Sequence, residues 1–282
     1  MSARLSLSKA PGQQWSGVFV CLIFCGLFSA ASWAQSGQCM ASGPLQWAKI
    51  KTIVDGDTLH LTDGRKLRVI AVNAPELKYF SKRESRPAQP LAEQSRAAVK
   101  TFFAQAGERS KVVGLQLGVD SHDRYGRQLA HVFRADGESL AAHLLAEGLA
   151  WQVVVPPNDR YWRCLAGVES EARERRSGLW GGDRYPLKST AELGLKDVGF
   201  QHLRGRVQSV SRSSRGWWLQ MGKLAVYLSD KDLAYFEGIS PERWYGKELT
   251  VRGWVIDRSR SGAVKSGFSA LMLHLRHPAM LK

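Results

Sequence analysis

The chain has 282 residues, with 40 Lys and Arg against 25 Asp and Glu; 44% are hydrophobic and 23% charged. That composition supports one or two globular domains with ordinary cores and excludes a disordered or fibrous protein. A formal charge of +15 and a pI near 9.9 imply an acidic partner, either nucleic acid or an anionic membrane, and charge alone does not choose between them.

Residues 1–34 read as a secretory signal peptide. Arg4 and Lys9 precede an apolar run over 18–28, and Ser32-Trp33-Ala34 offers a cleavage site after Ala34. An uncleaved anchor is the alternative, but the run falls short of the roughly 20 residues needed to span a bilayer, and no later run is long enough. The mature protein is therefore expected in the periplasm or the medium, as a monomer with no stable membrane association. Cys21 and Cys25 leave with the signal, so Cys39 and Cys164, now in an oxidising compartment, are the candidates for one disulfide.

In the mature chain, strands are expected over 48–54 and 58–62, where apolar and polar residues alternate, and Asp63-Gly64 then turns into a third strand over 65–72. Helical spacing runs from Leu91 to Ala106, between Pro90 and Gly107. Two more strands follow over 112–119 and 127–133, then a helix stopped by Gly148. A last helix, capped by Asn158, runs to about Arg176 with Trp162, Leu165, Glu169 and Ala172 along one side. Five strands with a helix after the third suggest a mainly β fold with flanking helices, an OB-type barrel. Gly181-Gly182, Pro186 and Ser189-Thr190 have linker composition, which places a domain boundary near residue 188. Beyond it, strands are expected over 203–210, 217–221, 224–228, 249–256 and 271–275, with a helical interruption near 230–236. The pattern suggests a second, smaller OB-like barrel.

The two parts differ in charge: residues 35–187 carry 22 basic and 17 acidic residues, whereas 188–282 carry 16 and 8. The C-terminal part also interleaves Trp217, Trp218, Tyr227, Tyr235, Trp244, Tyr245 and Trp254 with Arg204, Arg206, Arg212, Arg215, Arg252, Arg258 and Arg260. Stacking rings beside basic groups suit a single nucleic-acid strand, although rings also fill small cores. Adjacent Trp217 and Trp218 must point to opposite faces of a strand. Residues 257–267, rich in Ser, Gly, Arg and Lys, read as a loop.

The densest ionisable cluster is Asp55-Gly56-Asp57-Thr58, followed by Asn73-Ala74-Pro75-Glu76 at the end of the third strand. Antiparallel pairing brings the start of the second strand and the end of the third together, so these oxygens converge as a hard cation requires. Arg68 sits five residues before Asn73, an odd offset that points it to the opposite face unless a bulge or a rolled edge intervenes. Arg127 follows the turn Asp123-Arg124-Tyr125-Gly126, and paired guanidiniums opposite a cation match a phosphodiester.

These motifs, with Glu147-Gly-Leu-Ala-Trp151 and Ser177-Gly-Leu-Trp180, resemble in order and spacing the staphylococcal nuclease family over residues 46 to 180. The resemblance implies an OB-type barrel that hydrolyses DNA and RNA with Ca²⁺. It implies that Asp57 is a direct cation ligand and that Asp55 lies behind it. It makes Arg68 and Arg127 the phosphate clamps and Glu76 the group that orients or deprotonates the attacking water. Arg124 and Tyr125 are then expected to touch substrate. The family's second carboxylate ligand falls on Asn73, and a neighbouring threonine falls on Ala74, which still offers its main-chain carbonyl. A neutral Asn73 oxygen removes one negative charge from the shell and predicts weaker Ca²⁺ binding. The alternative is a nucleic-acid-binding protein on the same fold that has lost catalysis.

Overall fold

Alternation of apolar and polar residues in the N-terminal half produces a sheet rolled on itself. The computed structural model of the protein describes residues 39–80, 85–259 and 269–282; the expected signal peptide and most of the loop expected over 257–267 lie outside the described residues. Strands β1 (Gln46–Ile53), β2 (Thr58–Leu61) and β3 (Lys66–Val69) pair antiparallel in sequence, with Ile53 opposite Leu59 and Leu59 opposite Leu67. The third strand is shorter than expected. Val69, Ile70, Ala71 and Val72 are all buried, which a two-residue period cannot achieve, and the chain turns there with Ala71 at φ 74°. The separate strand β4 (Val72–Asn73) follows.

Strands β5 (Tyr79–Phe80) and β6 (Ser85–Arg86) pair with each other. Helix α1 (Ala92–Ala104) then packs Val99, Phe102 and Phe103 into the core. Strands β7 (Val112–His122) and β8 (Gln128–Phe133) close a five-stranded barrel in the order β1-β2-β3-β8-β7, with β3 and β8 parallel. Helix α2 (Leu140–Ala146) is capped by Ser139, whose Oγ accepts from the Ala142 N–H at 3.3 Å. Strand β9 (Trp151–Gln152) pairs with β4. The last helix, α3 (Trp162–Glu174), starts later than expected. Asn158 does not cap it; its side chain instead donates to the Asp120 carbonyl at 2.9 Å and accepts from the Asp120 N–H at 3.1 Å, holding the far end of β7. Cys39 is bonded to Cys164 on α3, closing a separation of 125 residues.

The C-terminal residues form a seven-stranded sheet where the pattern suggested five strands. Its elements are β10 (Lys188–Ser189), β11 (Gly199–Arg206), β12 (Ser209–Ser213), β13 (Gly216–Met221), β14 (Leu224–Ser229), helix α4 (Asp230–Leu233), β15 (Glu248–Asp257) and β16 (Leu271–His274). The extra count comes from short β10 and from a break in the expected first strand. At Val207-Gln208 the backbone changes partners, Val207 donating to Lys247 and Gln208 to Gln220, so β11 pairs with β15 and β12 with β13. Without β10 the order is β12-β13-β14-β16-β15-β11, and its two ends are one bent stretch of chain. The first barrel has the same circular order, with its third and fifth strands likewise parallel.

The described residues from Cys39 onward belong to one compact unit, and the two β structures meet through aromatic and ionic contacts. Trp151 lies buried between Tyr185 and Phe200, with ring centroids at 4.6 and 5.3 Å. Beneath it, Glu169 on α3 accepts from Arg252 Nη1 on β15 at 2.6 and 2.8 Å and from the Gln152 N–H at 2.7 Å, with 1% and 3% of the two charged side chains exposed. Arg252 and Trp244 are therefore not available to nucleic acid: the first neutralises Glu169 and the second fills the core of the C-terminal sheet.

Removing one partner of a buried ion pair strands the other charge, so Arg252→Met is expected to cost about 3–5 kcal/mol in chemical denaturation. The double replacement Glu169→Gln/Arg252→Met should recover most of that loss. Burial raises the Glu169 carboxyl, but Arg252 and the hydrogen bonds outweigh it and hold it below its ordinary 4.5. The pair's contribution is complete above that value and fades as pH falls through the lower folded value, so the difference between wild type and Arg252→Met should shrink in acid.

Candidate functional site

The site is built from the loop between β1 and β2. Both Val54 and Asp55 donate main-chain N–H bonds to the Thr58 carbonyl, at 3.0 and 3.5 Å, and this folds the loop inward. Gly56 lies at its tightest point. A Cβ there would stand 2.0 Å from Ser95 Oγ on α1 and 2.6 Å from Ala74 Cβ, so the absent side chain is what lets the loop pack. Asp55 and Asp57 are consequently buried, and Asp55 Oδ1 accepts from the Asp57 N–H at 2.9 Å.

Arg68 and Asn73 are brought to one face by the turn at Ala71. Arg68 Nη1 donates to the carbonyls of Val69 at 2.7 Å and Val72 at 2.8 Å. Its Nη2 reaches Asn73 Oδ1 at 3.1 Å and Asp57 Oδ2 at 3.2 Å. Asp57 Oδ2 also accepts from the Ala74 N–H at 2.6 Å, so it is the N–H of Ala74 that meets Asp57. Glu76 follows at the exposed mouth. Its backbone is fixed by Gln89, which bonds both its N–H and its carbonyl at 2.9 Å.

Arg127 arrives from the turn between β7 and β8. Asp123 Oδ2 accepts from its Nε at 2.7 Å, and Asp123 Oδ1 accepts main-chain bonds from Tyr125 and Arg127 at 2.9 Å each. Burial raises the Asp123 carboxyl, but these bonds outweigh it and hold it below the usual range. Arg127 Nη1 approaches Thr58 Oγ1 at 3.4 Å, and Thr58 in turn donates to Asp57 Oδ1 at 3.2 Å. At the tip of the turn the Tyr125 ring is 69% exposed between two guanidiniums, Arg124 at 4.8 Å and Arg127 at 5.7 Å from its centroid.

Sequence reasoning missed the positioning groups. Thr58 links the carboxylate to Arg127, and its place in the Asp-Gly-Asp-Thr motif was the available signal. Asp123 stood inside a quoted motif without a role. Gln89 had no signal, because thirteen residues and no periodicity connect it to Glu76.

Among the described residues no three His, Cys, Asp or Glu side chains form a ready-made metal cage. The donor chemistry nonetheless fits a hard cation. Burial, reinforced by Asp57 and Glu76, pushes the Asp55 carboxyl up to about 7 in spite of Arg68, so a cation bound beside it would draw it back to the carboxylate form. Oxygens of Asp57 and Asn73 lie beside it, and the Ala74 main chain adjoins them.

Residues 66–182 match the staphylococcal nuclease homologue family, a stretch that begins at β3 and ends before β10. The chain is 31% identical over 134 residues to the thermonuclease of Staphylococcus intermedius, covering 46% of this chain and 74% of that one. It is 27% identical over 135 residues to an uncharacterized endonuclease of Escherichia coli O157:H7, covering 47% of this chain and 75% of the other.

Gly56→Ala tests the packing of the loop. Overfilling a tight site costs typically about 1–3 kcal/mol, and here the displaced atoms carry Asp55 and Asp57. Nuclease activity is expected to fall further than the loss of folded protein accounts for, measured as specific activity well below the melting transition.

Proposed function

This chain belongs to the staphylococcal nuclease family and is a phosphodiester-hydrolysing nuclease, and on that premise we propose that it is an exported, monomeric enzyme that cleaves DNA or RNA with the help of Ca²⁺. The observation that carries this reading is the convergence of Asp57, Asn73 and Arg68 at the buried end of one cleft, with Glu76 at its exposed mouth. Asp57, Asn73 and the Ala74 main chain would hold the cation, with Asp55 behind them. When bound, Ca²⁺ would polarise a phosphoryl oxygen as a Lewis acid.

The chain's own residues supply the rest. Glu76, solvent-exposed and held by Gln89, accepts a proton from water as that oxygen bonds to phosphorus and the ester oxygen leaves. Arg127 uses Nε and Nη1 on Asp123 and Thr58; its Nη2 has no hydrogen bond among the described residues and is the edge that meets the phosphate. Arg68 is committed to four oxygens and acts first to hold the cleft together. Tyr125 and Arg124 lie where a strand would pass.

Export rests on the N-terminal apolar run and on the Cys39–Cys164 bond, which an oxidising compartment maintains. Among the described residues no helix is long and apolar enough to cross a membrane. Fractionation of the producing cells should find the mature chain in the periplasm or medium, beginning after Ala34.

Glu76→Gln and Arg127→Ala are each expected to slow cleavage by roughly 10²- to 10⁴-fold, and a chelator should abolish it. Binding without cleavage at any Ca²⁺ concentration would favour the non-catalytic reading instead. Asn73→Asp adds a carboxylate next to Arg68 and Asp57. It should lower the Ca²⁺ concentration for half-maximal cleavage and change saturated turnover less, read by titration with a fixed oligonucleotide.

A further inference from the structure

On the outer face of the C-terminal sheet three rings stand side by side on three strands. Trp218 on β13 is directly opposite Tyr227 on β14, and Tyr227 is directly opposite His274 on β16. Their centroids are 4.5 Å apart for the first pair and 5.4 Å for the second. The next row, Leu219, Val226 and Leu273, points inward and is buried, so the ring row is the outward one. Trp217 resolves the paired-tryptophan question by packing against the core. The row is held in place: Tyr227 donates its hydroxyl to the Arg215 carbonyl at 2.8 Å, and the Arg258 guanidinium sits 5.0 Å from the Trp218 centroid.

The rings line an open groove of about 850 Å³ that also includes Arg215, Lys231 and Arg258. Its one acidic lining residue, Asp230, is paired with Arg212 at 2.9 Å, so the rim is positive. Aromatic faces beside the cations Arg215 and Lys231 suit a ligand with flat π surfaces joined by negative charges. An acidic peptide supplies charge without regular rings, and an anionic membrane supplies neither stacking partner nor a shape that enters a groove.

We propose that this groove is a second nucleic-acid site, in which unpaired bases of a single strand stack against the Trp218–Tyr227–His274 row and their phosphates lie along Arg215 and Lys231. The proposal deepens the nuclease reading and rests on it for the identity of the ligand. The residues of the site all lie outside the family match, which ends at residue 182.

The test measures binding of a 20-nucleotide deoxythymidine strand, and of an abasic deoxyribose-phosphate strand of equal length, to the full mature chain in EDTA. Wild type should bind the first more tightly than the second. Trp218→Leu should weaken binding to the thymidine strand by about 10-fold or more and erase the preference. Lys231→Glu, at an exposed position, should weaken both strands alike and make the salt dependence shallower. Wild-type affinities in well-folded Lys231→Glu and Arg215→Glu proteins would overturn the proposal even if Trp218→Leu fails to fold. So would loss of anionic vesicle binding with unchanged oligonucleotide binding. The nuclease reading fails separately, through absence of cleavage by wild type with Ca²⁺, and the binding measurements in EDTA are unaffected by that outcome.

Discussion

Asp57 and the segment that runs from the turn at Ala71 to Asn73 come from separate stretches of backbone, and the group they share is the Arg68 guanidinium. It bridges the carbonyls on either side of the turn, Val69 and Val72, and meets both Asn73 and Asp57 with its second amino group. Each contact offsets a cost that would otherwise open the cleft. A non-glycine residue at φ 74° costs on the order of 1–3 kcal/mol, and the two carbonyl bonds brace Ala71 from both sides. A carboxylate with 2% of its side chain exposed needs a compensating charge, and Arg68 is the cation within reach of Asp57. A lysine could not replace it, because one ammonium lacks the spread of donors needed to reach four oxygens in different directions.

The C-terminal sheet is fastened to the barrel by a comparable device at a deeper level. Glu169 lies on the helix that also carries Cys164, so one face of α3 is anchored to Arg252 while the helix is tied to Cys39. Trp151 and Gln152 adjoin the same junction and form β9, which pairs with Val72 and Asn73. The ion pair is therefore two steps from the cleft: Glu169 accepts from the Gln152 N–H, and the same short strand supports Asn73. Cutting the chain near the linker would do more than remove the C-terminal sheet. It would expose Trp151 and leave Glu169 without its charge partner, so the two parts are interdependent in a way that linker composition alone did not indicate.

Much of the barrel was legible because its signals are local. Alternation marked β1 and β2; Asp63-Gly64 marked the hairpin; Pro90 and Gly107 bracketed α1. Hairpin pairing brought Asp57 and Asn73 together in the sequence, whereas Arg68, by its odd offset, read as facing away, and only the family resemblance gave it and Arg127 a place at the site. What failed to show depends on non-local contacts. Ala71 has no sequence mark of a left-handed turn, since the reason for it is the burial of four successive apolar residues. Asn158 looked like a helix cap because Asn commonly is one, and its amide is instead used across 38 residues to hold Asp120. Arg252 read as a surface cation among aromatics, and only packing reveals the carboxylate that claims it.

The circular strand order shared by the two β structures gives a physical reason for both to present a site in the same place. In each, the second, third and fifth strands lie side by side, the last two parallel. In the first barrel one row across them is Thr58, Arg68 and Leu129; in the second it is Trp218, Tyr227 and His274. Pleating makes such a row point to a single face, so whatever chemistry the row carries is delivered together. Small polar and guanidinium groups there organise carboxylates around a reacting phosphate, whereas rings there offer only π surface and shape. The row of the second structure has rings where the first has Thr58 and Arg68, so it gathers no carboxylates and can hold a strand without cutting it. An architecture that brings three strands' side chains to one line can therefore serve chemistry in one β structure and retention of substrate in the other.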